Sequence, residues 1–214
     1  MHMKRQQAPK NWPVPRKGTR YIVNPKFSPS KGLPILIILR DLLKMAGSRK
    51  EVKKAITGKQ IMLNSKLVRD EKNGAVLFDV VSMIPTGKHY RIEMSENKKF
   101  SLNEIKNNYD RKIAKVTDKK ILRGKKTQIN FSDGRNVISN MKCNTNDSVL
   151  INFQNGKLEK CLELKENANV IVFEGKHAGK KGTITKMDKT NKMAELKISG
   201  NPVKVLIKQI MVVE

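Results

Sequence analysis

Pro34-Ile35-Leu36-Ile37-Ile38-Leu39-Arg40-Asp41-Leu42-Leu43-Lys44-Met45-Ala46-Gly47-Ser48-Arg49-Lys50-Glu51 opens the stretch, running on to Val81, from which the rest of the chain is read. The apolar run from Pro34 to Ala46 predicts a helix. Pro34 suits a first helical position, since its missing N–H would be unpaired there anyway. Gly47 suits the left-handed residue just past the end. Ser48-Arg49-Lys50-Glu51 predicts a capping box, a hydroxyl followed three residues on by a carboxylate. The second helix then runs from Arg49 to about Ile56 with two faces: Val52, Ala55 and Ile56 on one, Arg49, Lys50, Lys53 and Lys54 on the other. Gly58 stops it. A small strand pair follows, Gln60–Leu63 with Lys66–Arg69 around Asn64-Ser65, and Ala75–Ile84 predicts a buried strand.

Two short helices and a hairpin with a cationic outer face describe a small RNA-reading module. A rigid helix face holds cations at roughly phosphate spacing, and the hairpin beside it walls a groove. A plain solvated helix face has the same local pattern, so the rest of the chain decides. Its 214 residues suffice for two or three small domains, and 38% apolar with 30% charged residues allow small cores but not one large one. Forty-five Lys and Arg against 19 Asp and Glu leave a net charge of +26. That excess repels itself unless a polyanion neutralises it. It is spread along the chain, which predicts many contacts with a large partner: nucleic acid, with an anionic membrane as the rival. The longest apolar run, Pro34 to Leu39, is broken by Arg40-Asp41, far short of the ~20 residues of a spanning helix. Met1 to Lys17 lacks the apolar block of a signal peptide. A cytosolic protein is expected. Cys143 and Cys161 match no zinc spacing and are read as reduced thiols.

Residues 1–33 are read as a basic extended arm. They carry Lys4, Arg5, Lys10, Arg16, Lys17, Arg20, Lys26 and Lys31 and no acid. Pro9, Pro13, Pro15, Pro25 and Pro29 oppose regular helix. Low apolar content and one charge sign predict disorder in isolation. Trp12, Tyr21 and Phe27 lie among the cations, which could meet phosphates while the aromatics stack on unpaired bases. His2 is read as incidental.

The RNA-binding module is placed at 34–94, ending in the strand His89–Met94; His89 has no partner in sequence. A central β-rich domain is placed at 95–168. Within it Asn103–Asp110 is a brief helix or loop, and Arg123-Gly124-Lys125-Lys126 is a basic loop. Thr127–Phe131 turns at Asp133-Gly134 into Asn136–Ile138, and Val149–Phe153 turns at Asn155-Gly156 into Lys157–Leu164. Residues 169–214 form the last unit. The loop from Glu174 to Gly182 holds Gly175, Gly179 and Gly182, with Lys176, Lys180 and Lys181 between them. The glycines let backbone come close to a partner, and the lysines suit phosphates. It is no nucleotide-binding P-loop, since the terminal Gly-Lys-Ser/Thr and following helix are absent. Short strands on both sides describe a small SH3-like barrel. The fold class is α+β and multi-domain.

The order of these parts is more specific than any one of them. Arg40-Asp41, Ser48-Arg49, and Gly58 through Asn64-Ser65-Lys66 resemble the RNA-binding domain first described in a bacterial small-subunit ribosomal protein. The Gly175–Gly182 loop with its flanking strands looks like a KOW motif. The opening, Lys4-Arg5 and Ala8-Pro9-Lys10-Asn11-Trp12, is similar to the start of the archaeal and eukaryotic small-subunit ribosomal protein family S-four-e. The likeness covers essentially the whole length in the same order. Ser65 departs from the commoner Gly and bears on the hairpin turn.

The resemblance implies a structural component of the small subunit that binds ribosomal RNA and sits among neighbouring ribosomal proteins in the cytoplasm. It implies no cofactor, no metal, no catalysis, no small-molecule substrate and no homo-oligomer. The residues expected at RNA are Lys4, Arg5, Lys10, Trp12, Arg16, Lys17, Arg20, Arg40, Arg49, Lys50, Lys53, Lys54, Lys59, Lys66, Arg69, Arg123, Lys125, Lys126, Lys176, Lys180 and Lys181. Arg40 and Lys66 are expected to border one groove with the second helix, and Arg49→Glu with Lys53→Glu to abolish binding while the fold stays intact. Two rivals were weighed. An enzyme lacks paired carboxylates, a Ser/His/Asp set or a metal cluster. A transcription or RNA-chaperone factor would use the KOW barrel but fits the lysine-rich start poorly.

Overall fold

Ile35, Leu36, Ile37, Ile38 and Leu39 are buried without a break, so the segment cannot be amphipathic and has to be enclosed from every side. The computed structural model that shows this describes residues 3–188 and 190–213, with every side chain among them but that of Lys125. His2 lies outside the described residues. The chain is mostly β with few helices and divides into two units, residues 1–94 with 99–110, and residues 95–98 with 111–214.

In the first unit β1 (Met3–Lys4) pairs with β2 (Tyr21–Ile22), and β3 (Gly32–Pro34) leads into α1 (Ile35–Ile37). A π-helical stretch, Ile38–Leu42, continues α1, with Leu43 N–H donating to Ile38 O at 2.9 Å. This corrects the helix expected over Pro34–Ala46. Pro34 belongs to a strand, and the helix ends early with Lys44, not Gly47, in the left-handed position (φ 53°). A lysine with its side chain in solvent accepts that φ, and Gly47 N–H is free to bond Glu51 Oε2 at 2.8 Å. Then α2 (Arg49–Thr57) begins at the expected cap: Ser48 Oγ accepts from Glu51 N–H and donates to Glu51 Oε1 at 2.8 Å.

The hairpin β4 (Ile61–Leu63) and β5 (Lys66–Leu67) turns on Asn64 and Ser65, both left-handed (φ 50° and 61°). Ser65 therefore makes the turn despite not being glycine. Asn64 is buried and its Oδ1 accepts Val80 N–H at 2.9 Å. Ala75–Ile84 is not one strand: β6 (Gly74–Val76) and β7 (Val80–Met83) are separated by a turn in which Phe78 takes φ 64°. β6 pairs with β3, while β7 joins a five-stranded antiparallel sheet, β5-β4-β7-β8-β9, with β8 (Lys88–Met94) and β9 (Phe100–Ile105). Residues 100–105, expected in the central domain with Phe100–Leu102 returning from a turn and a brief helix or loop from Asn103, thus pair with the module's last strand.

The N-terminal segment, expected extended, is folded onto this unit. Met3, Trp12 and Ile22 are buried, Trp12 to 2% exposure. The indole N–H bonds Pro29 O and Gly32 O, each at 3.0 Å. Phe27 packs so closely on Gly74 that a Cβ there would lie 1.8 Å from its ring. Low average hydrophobicity concealed a few well-placed anchors.

In the second unit β10 (Arg111–Ile121) is shared between partners: β11 (Thr127–Phe131) along its later half and β13 (Ser148–Asn152) along its first. With β12 (Asn136–Ile138) and β14 (Leu158–Leu162) they form the sheet β12-β11-β10-β13-β14. Gly134 (φ 86°) and Gly156 (φ 63°) close the two expected hairpins. The second sheet, β18-β17-β16-β15-β19, joins β15 (Asn169–Val172), β16 (Lys181–Asp188), β17 (Met193–Ile198), β18 (Asn201–Leu206) and β19 (Ile210–Val212). Each sheet buries its own apolar cluster, Val116, Ile129, Phe131 and Ile151 in one, Val170, Ile184, Leu196 and Ile210 in the other.

Among the described residues of this unit Lys112 and Lys115 are buried. Lys112 Nζ lies 2.6 Å from Asp133 Oδ2. Lys115 Nζ donates to Ile207 O at 2.5 Å and Ile210 O at 2.7 Å. Burial pushes the Lys115 ammonium down to about 8, partly offset by the Glu174 carboxylate.

Trp12→Ala is expected to cost about 3–5 kcal/mol by the loss of a buried aromatic, read as a lower urea midpoint; an unchanged midpoint would mean that the segment does not pack. For Lys115 the folded value lies below the unfolded one, so its stabilising share is full above the unfolded pKa and is lost as pH falls through about 8. Stability should therefore rise between roughly pH 8 and 10.5. Lys115→Met should flatten that part of the profile relative to wild type in pH-dependent unfolding.

Candidate nucleic-acid interface

Three exposed cations stand on the outer face of α2. Lys50, Lys53 and Lys54 have no carboxylate within ion-pair distance among the described residues, while Val52 and Ile56 are buried on the inner face. Arg49 differs from them. Its Nε donates to Glu71 Oε1 at 2.8 Å and a second guanidinium nitrogen bonds the same oxygen. Glu71 is 3% exposed, and its Oε2 is buried with no hydrogen-bond partner among the described residues. The hydrogen bond to Glu71 raises the Arg49 pKa against the opposing desolvation, with the Glu71 and Asp70 charges adding to the rise.

Glu71 lies in a loop that ties the unit together. Its carbonyl accepts Leu36 N–H at 3.1 Å, Asn73 O accepts Ile35 N–H at 2.9 Å, and Asp70 meets Lys26 Nζ at 2.7 Å. Arg49 therefore fixes α2 against that loop while its outer part remains about half exposed. The sequence carried the cationic face plainly. It carried no sign of Glu71, because an Asp-Glu pair between two strands looks like any solvated turn until the tertiary fold encloses it.

Beside α2 lies an open groove of about 840 Å³, walled by Lys59, Lys66 and Arg69 over Met62, Leu67 and Val68. No carboxylate lines it, and its three cations are exposed. The expected wall is present at Lys66, but Arg40 does not line this groove. Its guanidinium is held by the neighbouring Asp41 at 3.0 and 2.9 Å, half-buried.

In the N-terminal segment Lys4, Lys10, Arg16, Lys17 and Arg20 are exposed. Trp12 is not available for base stacking: it is core, held by two backbone carbonyls. Arg5 is half-buried and braces the segment, donating to Thr19 O at 2.6 Å, Pro15 O at 2.7 Å and Thr19 Oγ1 at 2.7 Å.

In the second unit Arg123 and Lys126 are exposed beside Gly124 (φ 78°). The side chain of Lys125 lies outside the described residues. Lys176, Lys180 and Lys181 are exposed, but Gly179 and Gly182 are packed against neighbouring backbone. A Cβ on Gly179 (φ 90°) would lie 2.0 Å from Ser95 O, and one on Gly182 2.6 Å from Lys197 O. The close backbone approaches are made to the chain itself, and the lysines project from a loop fixed by them.

His89, read without a partner, bonds Ser82 Oγ through Nδ1 at 2.8 Å and stacks on Tyr109 with ring centres 3.9 Å apart. Both cysteines are free thiols; burial, then Cys143 beside it, pushes Cys161 up to about 12, which leaves it unreactive. Among the described residues no three His, Cys, Asp or Glu side chains are grouped to hold a metal ion, and no helix is long and apolar enough to cross a membrane.

Arg49→Glu would set two carboxylates against each other at a buried site. The expected loss is roughly 2–3 kcal/mol, less than for a fully enclosed pair because the guanidinium is half exposed. Lys53→Glu should stay within about 0.5 kcal/mol of wild type. Urea unfolding of the two variants checks both, and equal midpoints would remove Glu71 from this role. The pair Arg49→Glu with Lys53→Glu thus confounds binding with folding.

Residues 86–158 match Ribosomal family S4e, and residues 1–29 match the RS4NT (NUC023) domain. The chain is similar to small ribosomal subunit protein eS4 of Archaeoglobus fulgidus, 33% identical over 186 residues that cover 86% of this chain and 79% of that protein. The eS4 protein of Methanocella arvoryzae is 32% identical over 186 residues, with the same two coverages, 86% and 79%. A crystal structure of 30S ribosomal protein S4e from Thermoplasma acidophilum superposes with a TM-score of 0.74 at 20% identity, covering 86% of this chain and 95% of that one. That likeness shows a shared fold.

Proposed function

This chain belongs to the ribosomal S4e family, and from that premise we propose that it is a structural constituent of the small ribosomal subunit that binds and stabilises ribosomal RNA. The family is one of ribosomal structural proteins and not of enzymes. The single observation that carries the RNA reading is the unpaired face of α2 beside a groove with cationic walls and no acid. Those cations are held by elements with buried anchors, so they offer phosphates a fixed array. The exposed lysines of the Gly175–Gly182 loop and of the N-terminal segment extend the array. We read the second sheet of the second unit as the KOW-type barrel that presents that loop. Neighbouring ribosomal proteins are the other partners, and the chain acts as a single copy in the subunit.

In this reading binding is phosphate neutralisation with shape fit. Folded RNA offers a wide shallow groove and backbone to such surfaces, in place of deep base edges. The rival reading as a transcription or RNA-chaperone factor draws on the glycine–lysine loop alone, whereas the family match supports the ribosomal reading.

Lys50→Glu, Lys53→Glu and Lys54→Glu together should lower affinity for small-subunit ribosomal RNA while leaving the urea midpoint near wild type. The slope of log affinity against log salt should fall by about 2 to 3, one contact's worth for each lysine. Filter binding across a salt series reads both, and an unchanged slope would move the interface off α2.

A further inference from the structure

The N-terminal segment encloses a cavity that the family resemblance did not anticipate. It has a volume of about 260 Å³ and is lined by Arg5, Lys10, Trp12, Pro15, Arg16 and Lys99, with three apolar residues and Gln6 completing the wall. No Asp or Glu lines it. Its size is below the roughly 300–1,000 Å³ of pockets that enclose a drug-sized molecule, which suits a phosphoryl group with its sugar.

We propose that this cavity seats one phosphodiester group of ribosomal RNA, with Arg5 as its fixed donor and Lys10 and Arg16 as the surrounding charge. The assignment rests on the RNA-binding reading above and names a site within it.

Arg5 is the geometric argument. A guanidinium carries five N–H donors in a rigid fork. Three of Arg5's are held by Pro15 O, Thr19 O and Thr19 Oγ1. Gly18 (φ 136°) lies over the same group, where a Cβ would come within 3.2 Å of Arg5 Cζ. The side chain is immobilised by neutral acceptors alone, so its charge is uncompensated and its two remaining N–H groups are set in place. A preorganised guanidinium loses little freedom on meeting an anion. Lys10 and Arg16 are exposed at the rim and add attraction without fixing geometry. Pro15, exposed at the cavity, supplies an apolar wall against which a ribose packs while the phosphate meets the cations. Arg5, Lys10 and Arg16 around one cavity with no acid in its lining repel one another, and a bound anion relieves that repulsion.

Trp12 is the chain's only tryptophan, so its emission reports on this cavity alone. The test uses the full chain at low salt and the dinucleoside monophosphate UpU as probe, with inorganic phosphate in a parallel titration. UpU should change the emission saturably, and Lys10→Gln with Arg16→Gln should weaken its apparent affinity roughly tenfold. Lys119→Gln with Lys120→Gln, on β10, should leave it within twofold. Should the first pair fail to fold by circular dichroism, Arg16→Glu alone gives the same reading from one exposed side chain. No saturable change with UpU, or equal affinity in the Lys10 and Arg16 variants, would overturn the proposal. So would inorganic phosphate binding as tightly as UpU, which would make the site one for a free anion. Wild-type chain that binds ribosomal RNA but gives no UpU signal sinks the cavity and spares the wider reading.

Discussion

Negative charge is scarce in this chain, and where it sits decides what the structure can do. Against 45 Lys and Arg there are 19 Asp and Glu. Several of those acids are buried at points where two elements have to meet. Glu71 holds Arg49, Asp133 holds Lys112 at 2.6 Å, and Asp147 accepts the backbone N–H groups of Asn144 and Leu164 at 2.7 and 2.9 Å. Asp79 accepts Val76 N–H at 2.8 Å in the turn that splits β6 from β7. A carboxylate taken out of water costs several kcal/mol unless it is paired and hydrogen-bonded, so each of these positions specifies geometry as well as charge. Surface acids pair with some of the remaining cations, Lys26 with Asp70 and Lys204 with Glu195 among them, while others, such as Lys50, Lys53 and Lys54, meet no acid among the described residues. They are displaced to the surface, where water and salt screen their repulsion.

That partition separates two kinds of basic residue which look alike in the sequence. Arg5, Arg40, Arg49, Lys112 and Lys115 are held by the fold through carbonyls or carboxylates. Lys50, Lys53, Lys54, Lys59, Lys66 and Arg69 stand outside on elements that the first group keeps rigid. In the proposed RNA-binding reading, phosphate attraction by the second kind therefore depends on the first, even where a held guanidinium, as at Arg5 and the outer part of Arg49, also reaches the surface. Arginine is used at Arg5, where its planar fork engages three acceptors at once, and at Arg49, where two of its nitrogens meet one carboxylate oxygen; a lysine offers only a point charge.

What could be read in advance followed the strength of local signals. α2 was legible because a cap, a two-faced period and Gly58 agree, and the turns because left-handed backbone is taken by Asn64 and Ser65, short polar residues, and by Gly134 and Gly156. α1 was not. Pro34 to Leu39 shows apolar residues in every direction, so the pattern sets no period, and the change from strand to helix to π-helical turn is decided by what encloses it. The break at Phe78 was hidden for the same reason, since Leu77 and Phe78 continue an apolar run. The N-terminal segment was misread because composition averages over residues. Met3, Trp12, Ile22 and Phe27 are few, yet each meets a prepared surface, and Phe27 needs Gly74 to have no side chain. At the site, the cations were visible one by one. Glu71 behind Arg49 and Lys99 beside Lys10 are tertiary neighbours with no local signature.

The Gly175–Gly182 loop shows how the same residues support a different physical role from the one their pattern suggests. Three glycines among lysines describe a flexible hook that adapts its backbone to a phosphate. In the fold Gly179 N–H is bonded to Val172 O at 2.7 Å, Gly179 abuts the Ser95 carbonyl and Gly182 abuts that of Lys197. The backbone freedom is used up in packing, and none is left for adaptation. A fixed loop with projecting lysines gains affinity only from a partner whose phosphates already stand at matching distances. Single strands and unfolded RNA do not present such an array, while a folded RNA surface does. The rigidity that removes the hook thus favours a structured polyanion over a flexible one. In the proposed RNA-binding reading it places specificity in the mutual fit of two preformed surfaces, which is the recognition an acid-poor chain can achieve without reading bases.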